Sequence, residues 1–493
     1  MSNEKNNNNH NMKLEQFDNI NWLKIILSNH IFDIKKKLLF LFTIIIIFLN
    51  CFYDYSYAEN SIPLSATATK NISINDEGHF QKIDSQIYGS RSFVKLNDGK
   101  VLFKKLLENN EQKTAIFDPK TNNIYYNITL VPESCGAVHG VKLKNGEILY
   151  VAAITKKPAS VFGYEIYNLV DDENYRKELN YIWHGTSLEE QEKIYMPYLK
   201  NNSDLLKRYN EYKKEYEDSM YGWLYNPSKD TWRRTKGKVF LRRNLISYPT
   251  LLSNGNVLLI GGFSDSGQCN DIEIYNPDTE LFELKKTTKK IRNNIYGSFP
   301  LKNGKVMFLF GDKYIFYNPE TNTYSQEKDL NLFGKYHIKN TLMLSDEKIL
   351  MFVGYSTPLY SGSNIKKIII FDPNTEEFID GGTLAFPRGA DAAWMFDVVE
   401  LKDGRVLIMG GQENIENHIN RYSPLERSSK AEIYDPKTKT SKLINDMNYK
   451  RINSHSVLLD DGRVLIFDGS NKIYKRKKLI PDFEVYIPKN YKK

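Results

Sequence analysis

Histidine and cysteine, which often act as catalytic groups or metal ligands, are few in this chain and lie far apart. Eight histidines and three cysteines occur among 493 residues. None of them shows the His-x-x-x-His or Cys-x-x-Cys spacing that places two metal ligands side by side. The doublets Gly261-Gly262 and Gly410-Gly411 end β-rich runs and open no helix, so they do not predict a phosphate-binding loop. Any site must therefore be assembled by the fold from residues that are distant in sequence.

The charge balance is mildly basic. The net charge is +8 at neutral pH, which favours anionic ligands or surfaces but lacks the basic stripe of a nucleic-acid-binding protein. The densest run, Lys475-Arg476-Lys477-Lys478, is typical of a solvated hairpin loop. We expect no nucleic-acid partner.

A first type of tight turn recurs seven times. It follows the pattern Leu-x-(Asn/Asp)-Gly-x-(Val/Ile)-(Leu/Met), which predicts a hairpin because glycine accepts a positive φ between two apolar runs. Glu347 replaces the glycine in the fifth copy. The copies begin at Leu96, Leu143, Leu252, Leu301, Leu344, Leu401 and Leu459.

A second type of turn follows most copies of the first. It consists of an aromatic residue and then Asn-Pro or Asp-Pro, in which proline presets φ and the Asx side chain caps the turn. The aromatic residues on either side are expected to pack between neighbouring sheets. The copies begin at Phe117, Tyr225, Tyr275, Tyr317, Phe371 and Tyr434.

Two hairpins in each repeat predict a four-stranded antiparallel unit that must stack on its neighbours to bury both faces. The repeats recur at about the 50-residue kelch period. From Tyr88 to Pro488 the chain resembles a kelch-repeat β-propeller of the bacterial type that also forms the galactose-oxidase-like propeller. The resemblance implies an all-β fold with seven blades. The long interval from Gly146 to Gly255 leaves eight blades as an alternative.

Part of that interval predicts a helical insertion in blade 2. Residues 171–220 are highly charged, and apolar residues recur there at spacings of three and four, which is typical of an amphipathic helix. Ser203 is the expected N-cap. The apolar stripe consists of Leu205, Leu206, Tyr209, Tyr212, Tyr216 and Met220.

The last repeat ends soon after its third strand, at Phe483 to Ile487. A propeller blade without its fourth strand would expose an edge, so we expect another segment to complete it. The segment from His79 to Ile83 is the candidate. The two ends of the chain would then share the last blade.

The N-terminal region predicts export. Lys35-Lys36-Lys37 precede an apolar run from Leu38 to Leu49, and Ser56-Tyr57-Ala58 follow it, as in a secretory signal. We therefore divide the chain into a signal or anchor region, residues 1–58, and a propeller, residues 59–493. The protein would be periplasmic, cell-surface or secreted; the alternative is a membrane anchor formed by residues 38–53. After export, Cys135 and Cys269 would be either paired or buried thiols.

The kelch resemblance also implies a binding face. In kelch proteins, arginines just ahead of the innermost strands often line one mouth of the central channel, and a ring of guanidinium groups suits carboxylates and sulfates. The alternative is that each arginine ties neighbouring blades together through backbone carbonyls. The matching residues here are Arg243, Arg292, Arg388 and Arg451, and Tyr336 and His337 belong to the same mouth.

Two enzyme alternatives follow from the same resemblance. Galactose and glyoxal oxidases hold copper with a Cys–Tyr thioether, a Tyr-His pair and another histidine, although the predicted insertion lengthens the Cys-to-Tyr interval here. A periplasmic sugar-active enzyme similar to N-acetylneuraminate epimerase is the other alternative. The oxidase counterparts are Cys135, Tyr248, Tyr336, His337 and either His455 or His139.

The favoured interpretation is a binding module. It has no cofactor, since copper enters only under the oxidase alternative. Its partner is an unidentified protein or glycan, with an acidic one favoured, and it meets a membrane only if the N-terminal segment remains attached.

Overall fold

Seven antiparallel sheets, each with at least four strands, follow one another along the chain in the computed structural model. We number them blades 1 to 7 and call their strands inner, second, third and outer. The residues described are 77–83, 92–106, 112–132, 140–151, 192–193, 196–197, 199–241, 244–247, 249–264, 267–268, 271–287, 295–330, 336–356, 363–390, 396–412, 427–469 and 483–491.

The strands are given in blade order. The inner strands are Phe93–Lys95, Gly140–Lys142, Thr250–Leu251, Ile295–Pro300, His337–Met343, Phe396–Glu400 and Ser454–Leu458. The second strands are Val101–Leu106, Ile148–Val151, Val257–Leu259, Val306–Phe310, Ile349–Ser356, Val406–Gly410 and Val464–Asp468. The third strands are Gln112–Asp118, Tyr221–Asn226, Ile272–Asn276, Lys313–Asn318, Ser363–Asp372, Ala431–Asp435 and Phe483–Pro488. The outer strands are Asn123–Leu130, Thr231–Lys238, Leu281–Lys285, Thr323–Tyr324, Glu377–Ala390, Thr440–Leu443 and Gly78–Ile83.

Two short additions extend this plan. A three-stranded sheet formed by Asn244–Ser247, Gly261–Ser264 and Gly267–Gln268 continues from blade 3. In blade 4, Lys328–Asp329 pairs with the third strand beside the outer strand. The seven-bladed all-β fold predicted from the repeats is therefore confirmed, and eight blades are excluded.

Both predicted turn types form as expected. In each first turn the Asx side chain accepts a hydrogen bond from the backbone N–H two residues later. The glycines of these turns have φ between 81° and 96°, and Glu347 adopts φ 72° in their place. In each second turn the Asx before proline caps the turn in the same way. Local sequence thus determines both hairpins of blades 1 to 6 and the first hairpin of blade 7.

The core lies between the blades. The second strands are almost completely buried, and the aromatic residues of the second turns face each other across the third and outer strands. The Tyr275 and Phe282 rings lie 4.9 Å apart, and the Phe371 and Phe378 rings lie 4.7 Å apart. Each such aromatic pair stabilises the fold by about 0.5–1.5 kcal/mol beyond the free energy gained by burying its apolar surface.

The N-terminal strand completes the last blade, as predicted. Gly78–Ile83 pairs antiparallel with Phe483–Pro488 over its full length. Glu77 strengthens this closure, since its carboxylate forms an ion pair with Arg405 at 2.8 Å and its carbonyl accepts a hydrogen bond from the Tyr486 hydroxyl at 2.7 Å. The first and the last described strands of the chain are therefore joined in blade 7.

A helix, Ser203–Asp218, lies within the insertion of blade 2. It buries Leu205 and Tyr209, which lie one turn apart on the predicted stripe. The expected N-cap is wrong by one residue: Asn202 caps the helix by accepting the N–H of Leu205 at 3.2 Å, and Ser203 is the first helical residue. Among the described residues no helix is long and apolar enough to span a membrane. The remaining insertion, residues 171–191, and the side chains of Tyr212 and Tyr216 lie outside the described part.

The two ends of the propeller differ in their connections. Because neighbouring strands are antiparallel, the first turns of all seven blades and the second turns of blades 1 to 6 lie at one end, which we call the turn end. The links from second to third strands and the links between blades lie at the opposite end, which we call the loop end. The long connections, including the insertion helix, therefore belong to the loop end.

Candidate binding face

Three blades carry a buried glutamate at the same place in their third strands. Glu273, Glu432 and Glu484 each precede the tyrosine of the third strand by two residues, and none has any exposed surface. A buried carboxylate is stable only when it is paired or fully hydrogen-bonded. Each of these glutamates meets that condition by binding the segment that leads into its own blade at the loop end.

In blade 6 the partner of Glu432 is Arg388. The two side chains form a fully buried ion pair. The Arg388 guanidinium also donates to the carbonyls of Gly410 at 2.8 Å and Phe386 at 2.9 Å. Glu432 accepts a further bond from the N–H of Ala385 at 2.6 Å. The pair therefore ties the segment from blade 5 to blade 6.

Blade 7 repeats this arrangement. The Arg451 Nε donates to Glu484 at 3.0 Å, and its Nη1 donates to the carbonyl of Asp468 at 2.5 Å. Glu484 accepts the N–H of Asn448, three residues ahead of the arginine, at 2.8 Å. The segment from blade 6 to blade 7 is thus tied to blade 7 by the same kind of buried ion pair.

In blade 3, Glu273 binds the corresponding backbone. It accepts the N–H groups of Phe240 at 2.7 Å and Leu241 at 3.1 Å. These residues precede Arg243 by three and two positions, as Ala385 and Phe386 precede Arg388. Arg243 itself lies outside the described residues.

The four arginines of the predicted ring therefore do not share one role. Arg388 and Arg451 are 0% and 1% exposed, and a guanidinium group held in this way contacts no ligand without leaving its carboxylate. Their observed role matches the alternative in which arginines tie blades together. Arg292, like Arg243, lies outside the described residues. In its blade, Ile315 occupies the position of the buried glutamate.

The sequence held a signal for these pairs that the repeat analysis missed. A glutamate stands two residues before the third-strand tyrosine in IEIYNP, AEIYDP and FEVYIP, and in none of the other repeats. An arginine precedes each of those three blades. The presence of both this glutamate and the preceding arginine distinguishes Arg243, Arg388 and Arg451 from Arg292, whose blade lacks the glutamate.

His337 begins the inner strand of blade 5, and Tyr336 immediately precedes it. His337 is exposed at the loop end, opposite Gly354 of the second strand, and Tyr336 packs on the apolar core shared by blades 4 and 5. Asn340 anchors this strand to blade 6 by donating to the carbonyl of Phe396 at 2.8 Å. His337 is thus presented to solvent by a firmly held strand.

Asp397 lies at the same end, on the inner strand of blade 6. Its Oδ1 accepts the N–H of Val398 at 2.9 Å, and its Oδ2 is buried. Burial raises the pKa of Asp397 to about 7, although Ser456, the Val398 N–H and the charge of Arg451 act in the opposite direction. This acid is therefore protonated in part at neutral pH.

Comparison with solved structures agrees with this architecture. A copper-bound fungal alcohol oxidase, described as a member of the AA5 family with catalytic diversity, matches with a TM-score of 0.51 and 14% sequence identity. The match covers 84% of this chain and 77% of the oxidase. The chain is a seven-bladed β-propeller. No protein-family model matches the chain, and no curated protein does either. The likeness to the oxidase is one of fold.

One residue of the oxidase alternative has a described environment. His455, one proposed copper ligand, lies on the inner strand of blade 7. Its ring contacts Phe93 of blade 1 at 5.6 Å and Phe467 at 6.0 Å. His455 thus packs among aromatic rings at the junction between the last and first blades.

Of the other proposed copper ligands, Tyr336 and His337 are the ones that lie among the described residues. No group of three His, Cys, Asp or Glu side chains converges within that part of the chain in a way that could hold a metal ion. His337 is exposed. Cys135, Tyr248 and His139, and also Cys269, lie outside the described residues.

Proposed function

We propose that this kelch propeller is an exported binding module whose ligand docks at the loop end, over blades 4 and 5. The observation that carries the proposal is the asymmetry of the two ends. The turn end consists of short capped turns, whereas the loop end carries the long connections on strands braced by buried ion pairs. Rigid scaffolds with variable loops at one end are the usual basis of recognition.

Arg292 is the arginine that we assign to ligand binding. The third strands of blades 3, 6 and 7 supply a buried carboxylate to the segment ahead of the blade, but blade 4 supplies Ile315. The inner strands of blades 4 and 5 are in contact, so the start of blade 4 adjoins the exposed His337. Arg292 and His337 together would suit an anionic group.

The ligand chemistry that we propose is a carboxylate or sulfate on a peptide or glycan chain. A guanidinium group binds either anion through two parallel hydrogen bonds, and an imidazole adds a donor. No cofactor is needed for such recognition, and we expect no nucleic-acid partner.

The test is the affinity of two carboxylate probes, measured by fluorescence anisotropy. One is a labelled peptide with a neutral stretch followed by two C-terminal glutamates, and the other is a labelled oligogalacturonate. We expect one of them to bind, which identifies the source of the carboxylate. Arg292→Ala should weaken that binding by about tenfold or more, since a charged hydrogen bond contributes roughly 1.5–3 kcal/mol.

The matched control is Arg233→Ala. Arg233 is an exposed arginine on the outer strand of blade 2, where it pairs with Glu147 at 2.8 Å and Glu280 at 2.9 Å. Its replacement should leave probe affinity unchanged. Equal losses in both variants would show a non-specific charge effect, and an intact affinity in Arg292→Ala would refute the assignment of Arg292. Failure of the unaltered protein to bind either probe would refute the proposed ligand chemistry.

Export is a further part of the proposal, supported by the basic, apolar and small-residue order of residues 1–58. The intact mass of the protein purified from its native host tests it. A chain beginning at Glu59 is expected. A mass that includes residues 38–53 would instead indicate a membrane anchor.

A further inference from the structure

Each blade presents the edge of its sheet at the outer strand. Among the described residues, no strand pairs with the far side of any outer strand. Such an edge can pair with a strand of another molecule, and proteins commonly prevent this with charged side chains on the edge. Charged residues lie on the outer strands of five blades and include Arg234 in blade 2, Lys285 in blade 3, Asp380 in blade 5, Lys442 in blade 6 and Lys82 in blade 7. These five edges are therefore protected.

The outer strand of blade 1 lacks this protection. Asn123–Leu130 has the sequence NIYYNITL, without a charged residue over eight positions. Its isoleucines, tyrosines and threonine are residue types that favour strands. Blade 4 also has an uncharged outer strand, Thr323–Tyr324, but it is two residues long, and a short edge offers little to pair with. Blade 1 therefore combines a long edge with an uncharged one.

Exposed apolar surface is concentrated on the same strand. Tyr125, Tyr126 and Leu130 are 49%, 46% and 44% exposed, and they are three of the six large apolar side chains that are exposed in the described part of the chain. Because Tyr125 and Tyr126 are consecutive residues of a strand, their rings lie on opposite faces of the sheet. A strand added to this edge would therefore cover apolar surface on both faces.

Blade 2 holds the half of this strand that leads towards the loop end. The Thr129 N–H donates to the Asp230 carboxylate at 3.0 Å, and the Thr129 hydroxyl donates to the Asp230 carbonyl at 2.6 Å. The Asn127 amide donates to the Tyr225 hydroxyl at 2.5 Å. An added strand would therefore pair with the half nearest the turn end, which is centred on Tyr125.

The same strand of a second copy is the partner that fits this edge. Two antiparallel strands related by a two-fold axis place a strand opposite itself, so any charges on it meet like charges, which is unfavourable. The outer strand of blade 2, with four cations and no acid, cannot pair in this way. The uncharged strand of blade 1 can. Since each copy has a net charge of +8, an uncharged edge is also where two copies meet with the least repulsion.

We propose that the protein associates with a second copy of itself through antiparallel pairing of the two blade 1 outer strands, with the two-fold axis near Tyr125. The interface lies on the outer surface of blade 1. It does not involve the ligand site proposed at blades 4 and 5, so the two proposals stand or fall separately.

Tyr125→Lys tests the interface, with sedimentation of the full-length protein measured over a series of concentrations. The unaltered protein should show a monomer–dimer equilibrium. In the variant, two lysines meet near the axis and two tyrosine rings are lost from the interface, so the dissociation constant should rise by at least about tenfold. Because Tyr125 is half exposed in the single chain, the variant should fold, and its melting temperature verifies this.

The matched control is Leu281→Lys. Leu281 is 51% exposed on the outer strand of blade 3, so the substitution also replaces an exposed apolar residue of an outer strand with lysine. It should leave the dissociation constant unchanged. Equal losses in the two variants would show a general effect of added charge and would contradict the assignment of the interface to blade 1.

Mixing two variants tests the two-fold pairing itself. Tyr125→Glu alone should dimerise as weakly as Tyr125→Lys, whereas an equimolar mixture of the two should form a mixed dimer, because opposite charges then meet near the axis. A mixture that remains monomeric would overturn the two-fold pairing. An unaltered protein that is monomeric throughout the concentration series would overturn the proposal, and so would association that Tyr125→Lys leaves intact.

Discussion

At the scale of single residues, Asp397 is an acid whose ionisation the fold opposes. Its pKa of about 7 in the folded state lies above the value of about 4 expected for an unfolded chain. The unfolded state therefore releases this proton first as the pH rises. Stability from this group is greatest at acidic pH and declines between about pH 4 and 7.

Asp397→Asn removes that titration. We expect the variant to be more stable than the unaltered protein at pH 8 and to lose less stability between pH 5 and 8, with a difference on the order of a few kcal/mol. Urea unfolding at the two pH values measures it. Asp403→Asn is the control, because partial burial raises the pKa of Asp403 but hydrogen bonds to Arg405 outweigh it and lower the pKa overall. Above pH 5, the unfolding free energy of Asp403→Asn should therefore change with pH as it does in the unaltered protein. If the unfolding free energy of Asp397→Asn changed with pH as in the unaltered protein, the raised pKa of Asp397 would be contradicted.

Glu347 provides a second residue-scale prediction. It occupies the glycine position of its turn with φ 72°, and its carboxylate accepts the N–H of Lys302 from blade 4. Glu347→Ala and Glu347→Gly both remove that hydrogen bond, but only glycine relieves the backbone. Thermal unfolding should show the glycine variant to be more stable by about 1 kcal/mol. Equal stabilities would mean that the turn tolerates a positive φ without strain.

At the scale of elements, the buried Arg–Glu pairs hold successive blades together. Arg388→Met leaves Glu432 buried without its cation, which should lower the free energy of unfolding by about 3–5 kcal/mol. The double variant with Glu432→Gln should regain part of this loss, because no charge is then stranded. The exposed pair of Arg233 gives the comparison: Arg233→Met should cost no more than about 1 kcal/mol. Similar losses at both arginines in denaturant unfolding would show that Arg388 is not a brace.

The outer strand of blade 7 supports a further prediction. A chain beginning at Gln86 lacks Gly78–Ile83 and exposes the edge of Phe483–Pro488, whereas one beginning at Asp76 keeps the pairing. The shorter chain should melt at a lower temperature and associate through the open edge. Light scattering and thermal unfolding compare the two. A monomeric Gln86 chain of full stability would show that closure does not depend on this strand.

The sequence predicted the elements better than the site, for a physical reason. Turns depend on a few neighbouring residues, so the Asx-Gly and Asx-Pro signals predicted the hairpins and the blade number. The closing strand was predicted from the missing fourth strand of the last repeat. The N-cap at Asn202 differed by one position because Ser203 and Asn202 both suit that role. The arginine positions could not be interpreted alone, since burial of Arg388 and Arg451 depends on glutamates more than 30 residues away.

At the scale of the whole molecule, the propeller separates stability from recognition. Short capped turns and the pairing of Gly78 with Pro488 lie at the turn end, while the braced inner strands present His337 and the long connections at the loop end. Blade 4 combines two features that blades 3, 6 and 7 do not share: Ile315 stands where they have a buried glutamate, and two residues join its second and third strands. The proposed ligand site is placed at this blade and at blade 5.

Hydrogen–deuterium exchange with and without the peptide ending in two glutamates tests this central claim most directly. Our account predicts protection of backbone amides at the loop end of blades 4 and 5, in segments that include residues 306–313 and 336–343, with no change in the turns at Gly304 and Glu347. Protection confined to the turn end, or spread evenly over all seven blades, would contradict it.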